Sequence, residues 1–153
     1  MSAGTVALGV GAAAACGDSL APETAVFALN RAKWSAQRLD TYTFDFYRSC
    51  GECLPEWVVP VRITVMNGEV TSVIQIATGD TVPSPAFRLT IDSLFAQVAK
   101  TLERDPYRLT ITYDRRLGYP LTVSVDYDRQ MVDDEGGFSA RLVLPAVPLP
   151  ASP

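Results

Sequence analysis

Val58-Val59-Pro60-Val61-Arg62-Ile63-Thr64-Val65-Met66-Asn67-Gly68-Glu69-Val70-Thr71-Ser72-Val73-Ile74-Gln75-Ile76-Ala77 is the stretch on which the reading of the fold turns. Two β-branched runs flank Asn67-Gly68, a dipeptide whose residues both tolerate positive φ, and this is the signature of a type I′ hairpin. The pattern predicts one strand over 58–66, with Val61, Ile63 and Val65 on one face, and a second over 69–77. Upstream, residues 40–49 alternate Tyr42, Phe44 and Phe46 against Thr43, Asp45 and Tyr47, which predicts a strand with one aromatic face. Before it, Val26, Leu29, Ala32 and Ala36 recur at helical spacing, with Phe27 and Trp34 widening the stripe, so a helix is expected over 23–38. Downstream, the Pro-punctuated run 78–87 reads as a loop. A second helix over 91–104 follows Thr90, with Ile91, Leu94, Phe95, Val98 and Leu102 as its apolar stripe. Residues 108–113, 121–127 and 138–144 read as strands.

The two halves therefore share an order, one helix and then three strands. Asp40-Thr41-Tyr42-Thr43-Phe44-Asp45-Phe46 also aligns with Asp105-Pro106-Tyr107-Arg108-Leu109-Thr110-Ile111 in the pattern Asp-x-Tyr-x-apolar-x-apolar. The expected fold is α+β: an antiparallel sheet with two helices packed on one face, laid out as a tandem helix-plus-three-strand repeat. Its core is expected to pair Leu29, Trp34, Leu94, Phe95 and Val98 of the helices with Tyr42, Phe44, Ile63, Val65, Ile111 and Val123 of the sheet.

At 153 residues, the chain has room for one domain, expected over 23–145, followed by a proline-rich tail over 146–153. Thirteen basic against seventeen acidic residues give a net charge of −4, so no basic field draws in nucleic acid. The chain contains no histidine, which excludes Ser-His-Asp and Cys-His catalysis. No cofactor is called for, and a monomer is expected.

Residues 1–15 carry no charge and end in Ala13-Ala14-Ala15 before Cys16. The run is shorter than the roughly 20 apolar residues that span a bilayer. It reads as a signal segment with a small-residue cleavage site, leaving Cys16 as the mature amino terminus and 16–22 as a linker. The arrangement resembles the lipobox of bacterial lipoproteins, in which such a cysteine receives the lipid. Ala13 stands where leucine is usual and no Lys or Arg precedes the run, which suggests a true start upstream of Met1. The competing reading, a buried amino-terminal helix, would have few side chains to pack. The expected address is the outer side of the cell membrane, extracellular or periplasmic, held through a lipid on Cys16.

Setting Cys16 aside leaves Cys50 and Cys53, which admit three readings. A disulfide suits an oxidising compartment. A redox pair wants its first sulfur at a helix amino terminus, whereas Cys50 ends a predicted strand. A zinc site wants four ligands. Asp126, Asp128, Asp133, Asp134 and Glu135 crowd one stretch and offer oxygens to a hard cation such as calcium, or form a solvated acidic loop. Tyr47, Trp57 and Tyr119 are candidates for an aromatic binding surface near the cysteines, with core packing as the alternative.

Trp34, Tyr42-x-Phe44, Arg48-Ser49-Cys50, Cys53-x-Pro55, Pro60-Val61-x-Ile63-Thr64-Val65 with Asn67-Gly68, Tyr113-Asp114, Leu117-Gly118-Tyr119-Pro120 and Asp133-Asp134-Glu135 together resemble the bacterial family known as domain of unknown function 6174. The resemblance spans about residues 30–145. It implies an exported, often lipoprotein-type protein and brings no activity with it. The functional expectation is a non-enzymatic binding module for a protein or cell-envelope component, the alternative being a calcium-dependent or redox accessory protein.

Overall fold

The computed structural model describes residues 21–131 and 135–143. Helix α1 (Ala21–Ala36) leads into strand β1 (Tyr42–Cys50), which a short 3-10 turn at Pro55–Trp57 connects to β2 (Val61–Met66) and β3 (Glu69–Gln75). After a second 3-10 turn at Pro85–Phe87 come α2 (Ile91–Glu103), β4 (Arg108–Tyr113), β5 (Pro120–Asp126) and β6 (Gly136–Val143). The six strands form one antiparallel sheet in the order β3-β2-β1-β6-β5-β4. Each half contributes three consecutive strands, and β1 joins β6 at the seam.

The hairpin forms as its dipeptide requires: Asn67 and Gly68 take φ of 52° and 78°, and Met66 pairs with Glu69. Its first strand begins at Val61 and not at residue 58, because the Pro55–Trp57 turn occupies the approach. The 78–87 loop returns to the sheet. Asp80 and Val82 exchange backbone hydrogen bonds with Gln75 and Val73, covering the outer edge of β3, and Phe87 is fully buried. Helix α2 starts in a capping box: Thr90 Oγ1 accepts from the Ser93 amide at 3.1 Å, and Ser93 Oγ from the Thr90 amide at 2.9 Å.

The core takes Phe44, Phe46, Val61, Ile63, Val65, Val123, Phe138 and Ala140 from the sheet and Ile91, Leu94, Phe95 and Val98 from α2. Tyr42 and Ile111 pack against it half-buried. The alternate positions of the strands carry polar pairs, among them the Arg62–Asp45 fork at 2.7 and 3.0 Å and the Thr112–Thr122 hydroxyls at 2.6 Å. Such alternation is what a sheet with one packed and one solvated face requires.

Helix α1 corrects one expectation. Leu29 is 73 % exposed and Val26 47 %, while Phe27 and Trp34 are the buried residues of the helix. The aromatic row wins because it has large partners to fill against. Phe27 meets Phe95 edge-on with centroids 5.9 Å apart, and Trp34 meets Tyr42 at 5.5 Å and Tyr119 at 6.0 Å. The same Tyr42 accepts a hydrogen bond from the Ile91 amide at 3.0 Å.

Candidate functional site

Strand β1 alternates Tyr42, Phe44 and Phe46 toward the core, and the next residue in that phase is Arg48. A cation is thereby carried to the core side of the sheet at its end. The guanidinium lies 5.8 Å from the ring centroids of both Phe46 and Phe87, and one of its nitrogens donates to the Ala86 carbonyl at 3.2 Å. Guanidinium carries five N–H donors, so this bond leaves most of them for other acceptors. Among the described residues no carboxylate lies within 4 Å of Arg48. Burial lowers its pKa from the ordinary arginine value.

Arg48 opens onto a cleft of about 500 Å³. The disulfide Cys50–Cys53, with Cα atoms 5.6 Å apart, forms one wall, together with Trp57. Gln97 and Thr101 of α2 line a second side, and Tyr127, Glu135 and the Gly136-Gly137 start of β6 a third. Gly137 is required there, since a Cβ on it would lie 2.0 Å from the Val123 carbonyl oxygen. Glu52 and Glu135 are exposed and Arg48 is half-buried, so the cleft has a recessed cation and an acidic rim.

A larger groove, about 660 Å³, opens at the opposite end between Leu39, Met66, Leu117 and Leu142. Among the described residues its one charged lining residue is Arg116, which is exposed. The smaller cleft is the stronger site because it holds a partly desolvated charge with unspent hydrogen-bonding capacity.

The residues singled out from sequence divide. Cys50, Cys53 and Trp57 converge on the cleft, with Trp57 42 % exposed. Tyr47 is exposed but, out of phase with Arg48, lines a different surface with Asp45 and Arg141. Tyr119 is no surface residue: it is 3 % exposed, its ring packs on Trp34, and its hydroxyl accepts from the Leu142 amide at 3.1 Å. Of the acidic stretch, Asp133 and Asp134 lie outside the described residues, as does Cys16. Asp128 turns its carboxylate onto the Gln130 amide at 2.9 Å, and one oxygen of half-buried Asp126 has no hydrogen-bond partner among the described residues. Among the described residues no three Cys, Asp or Glu side chains gather as a metal-ligand group. Arg48 itself escapes sequence reading as a site residue. The signal available was its phase, two residues beyond Phe46 on the apolar side of β1.

The fold and cleft thus define a small α+β domain with a six-stranded antiparallel sheet and a disulfide-walled pocket. The chain belongs to a family of unknown function, DUF6174, whose sequence profile matches residues 26–145. No curated protein and no solved structure matches it. Two groups stand out among the residues that carried the resemblance. Trp34, Tyr42 and the buried run Leu117-Gly118-Tyr119-Pro120 build the joint between α1 and the sheet, whereas Arg48, Cys50 and Cys53 meet at the cleft.

Proposed function

We propose that this protein is an exported, lipid-tethered and non-enzymatic binding module for a protein or cell-envelope component, with the disulfide-walled cleft as its binding site. The observation that carries the reading is Arg48, half-buried at the cleft without a carboxylate partner among the described residues. A ligand that placed an anionic group against the guanidinium would gain a charge-assisted hydrogen bond in a partly desolvated setting. The acidic rim of Glu52 and Glu135 favours a ligand segment that is basic beside that anion. The cleft lining includes the hydroxyls of Ser49 and Thr101 but no lysine or histidine to activate them, which suits binding better than catalysis. The address rests on Ala13-Ala14-Ala15-Cys16.

A photo-crosslinking residue in place of Trp57, expressed in the native host, tests the site. The expected result is one discrete adduct, lost on Arg48→Gln and retained on Arg48→Lys, with none from the same probe at Met66 at the far end. Absence of an adduct at position 57, or equal adducts at both positions, would overturn the reading. Mass spectrometry of the membrane fraction tests the address independently, through a mature chain that begins at lipidated Cys16.

A further inference from the structure

The two edges of the sheet are finished differently. The loop after β3 lies along the outer side of that strand, with Thr81 bridged to Ile74, and closes the edge. Strand β4 ends the sheet on the other side, and among the described residues none pairs with its outer side. Tyr107 donates its amide to the Tyr127 carbonyl at 3.4 Å, just past the end of β5. Bonding alternates along an antiparallel ladder, so Arg108, Thr110 and Thr112 turn their N–H and C=O groups to the open edge. Native edge strands are ordinarily blunted by lysine, proline, an inward charge or a bulge. Residues 108–112 have none of these: Leu109 and Ile111 face the core side, and the register shift against β5 falls after Thr112. Beside the edge, a groove of about 370 Å³ runs between Pro22, Glu23 and Val26 of α1 and Leu109, Ile111 and Tyr113. Val26 is 47 % exposed there. The Tyr113 hydroxyl and one Glu23 carboxylate oxygen are shielded from solvent with no hydrogen-bond partner among the described residues.

We propose that β4 pairs antiparallel with β4 of a second copy of this chain, about a two-fold axis through Thr110, and joins two sheets into one. A two-fold interface needs the same self-complementary patch on both chains, and residues 108–112 supply it. In this register Leu109 faces Ile111 of the second copy on the core side, and Arg108 faces its Thr112 on the solvated side. Every outward N–H and C=O of Arg108, Thr110 and Thr112 then meets a partner. A slip of one residue would set apolar side chains against polar ones. Charge selects the direction as well. Antiparallel pairing leaves the two Arg108 side chains about 14 Å apart, beyond the roughly 8 Å screening length, whereas in-register parallel pairing would set them side by side. The second copy's Leu109 and Ile111 extend the apolar side of the sheet at the groove, where Val26 stands exposed. A dimer then replaces the monomer expected from the sequence, and neither the cleft nor a lipid anchor takes part.

The test uses the full chain carrying Cys16→Ser, so that neither a lipid nor a thiol at that position links two copies. Sedimentation equilibrium over a range of chain concentrations should show monomer and dimer in exchange. Thr110→Lys and Thr110→Glu each set like charges opposite one another at the axis, and each should weaken dimerisation about tenfold or more. Mixed in equal amounts, the two variants should recover the parent's dimerisation, because opposite charges then face each other. Thr110 is exposed, so both variants should melt as the parent does. In the chain without a Thr110 substitution, amide exchange at Thr110 and Thr112 should slow as concentration rises, while exchange in the β2–β3 hairpin stays unchanged. Any of four results would overturn the proposal: a parent that stays monomeric, a dimer that both variants retain, variants that do not recover on mixing, or protection of Thr110 and Thr112 that is independent of concentration. The last would mean that residues 1–20 of the same chain hold the edge.

Discussion

The hydroxyl of Tyr42 accepts the backbone N–H of Ile91 at 3.0 Å, so the first residue of β1 holds the first turn of α2. That amide is one of the helix-start donors that no intrahelical carbonyl satisfies. Tyr42→Phe keeps the ring against Trp34 and removes only the acceptor. The expected cost is about 0.5–1.5 kcal/mol by chemical denaturation. Amide exchange at Ile91 should quicken while that of the β2–β3 hairpin stays unchanged.

Tyr113 presents the opposite case, because its hydroxyl is buried without a hydrogen-bond partner among the described residues. Burial pushes its pKa up to about 12. Below pH 10 the phenol is protonated in both the folded and unfolded chain, and the shift does not affect stability. Between pH 10 and about 12 the unfolded chain ionises first, so stability is lost as pH rises through that window. Tyr42 and Tyr119 are raised in the same direction, both chiefly by burial, and add to the slope. Tyr113→Phe should leave stability at pH 7 unchanged or slightly higher and flatten the alkaline loss, measured as melting temperature against pH.

Phe95 and Leu29 are both large apolar helix residues, yet truncating them should give unlike results. Phe95 is fully buried against Phe27, and Phe95→Ala should cost about 3–5 kcal/mol or abolish folding. Leu29→Ala removes an exposed side chain and should change stability by about 0.5 kcal/mol or less. Urea midpoints of the two variants decide the matter, and equal midpoints would contradict the packing of α1.

Gly118 has φ of +84°, and a Cβ there would stand 2.6 Å from the Asn30 carbonyl oxygen. Gly118→Ala therefore combines backbone strain with a clash against α1. A loss of about 1–3 kcal/mol is expected from the strain alone. The clash should show as greater exposure of Trp34, read from its fluorescence, because that ring sits where the helix meets the loop.

Legibility in the sequence followed how much of each signal was local. The hairpin was readable because Asn67-Gly68 fixes its own turn, and β4 because Arg108–Tyr113 alternates cleanly. Helix α2 was readable for a similar reason, with one apolar row and a threonine cap. Helix α1 offered two apolar rows one position apart, and only the location of Phe95, Tyr42 and Tyr119 decides between them. Tyr119 misled for a related reason. Grouping it with Tyr47 and Trp57 as a ring near the cysteines leaves out what buries it, Trp34 and the Leu142 amide, both distant in sequence. At the cleft, the disulfide and Trp57 were visible as residue types. Arg48 was visible only as an interruption of an apolar phase, which becomes informative once the turn carrying Ala86 and Phe87 is folded against it.

The seam between β1 and β6 also sets the order of events during folding. Phe44 pairs with Leu142 and Cys50 with Gly136, so the strand that closes the sheet is the last of the described strands. Until it arrives, the β3-β2-β1 unit and the β5-β4 unit each end in an open edge, and no local turn can bring those edges together. Joining them demands closure of a loop that contains nearly the whole domain, a contact that is entropically expensive and kinetically late. The sheet described here therefore stays open at two inner edges until β6 enters between β1 and β5.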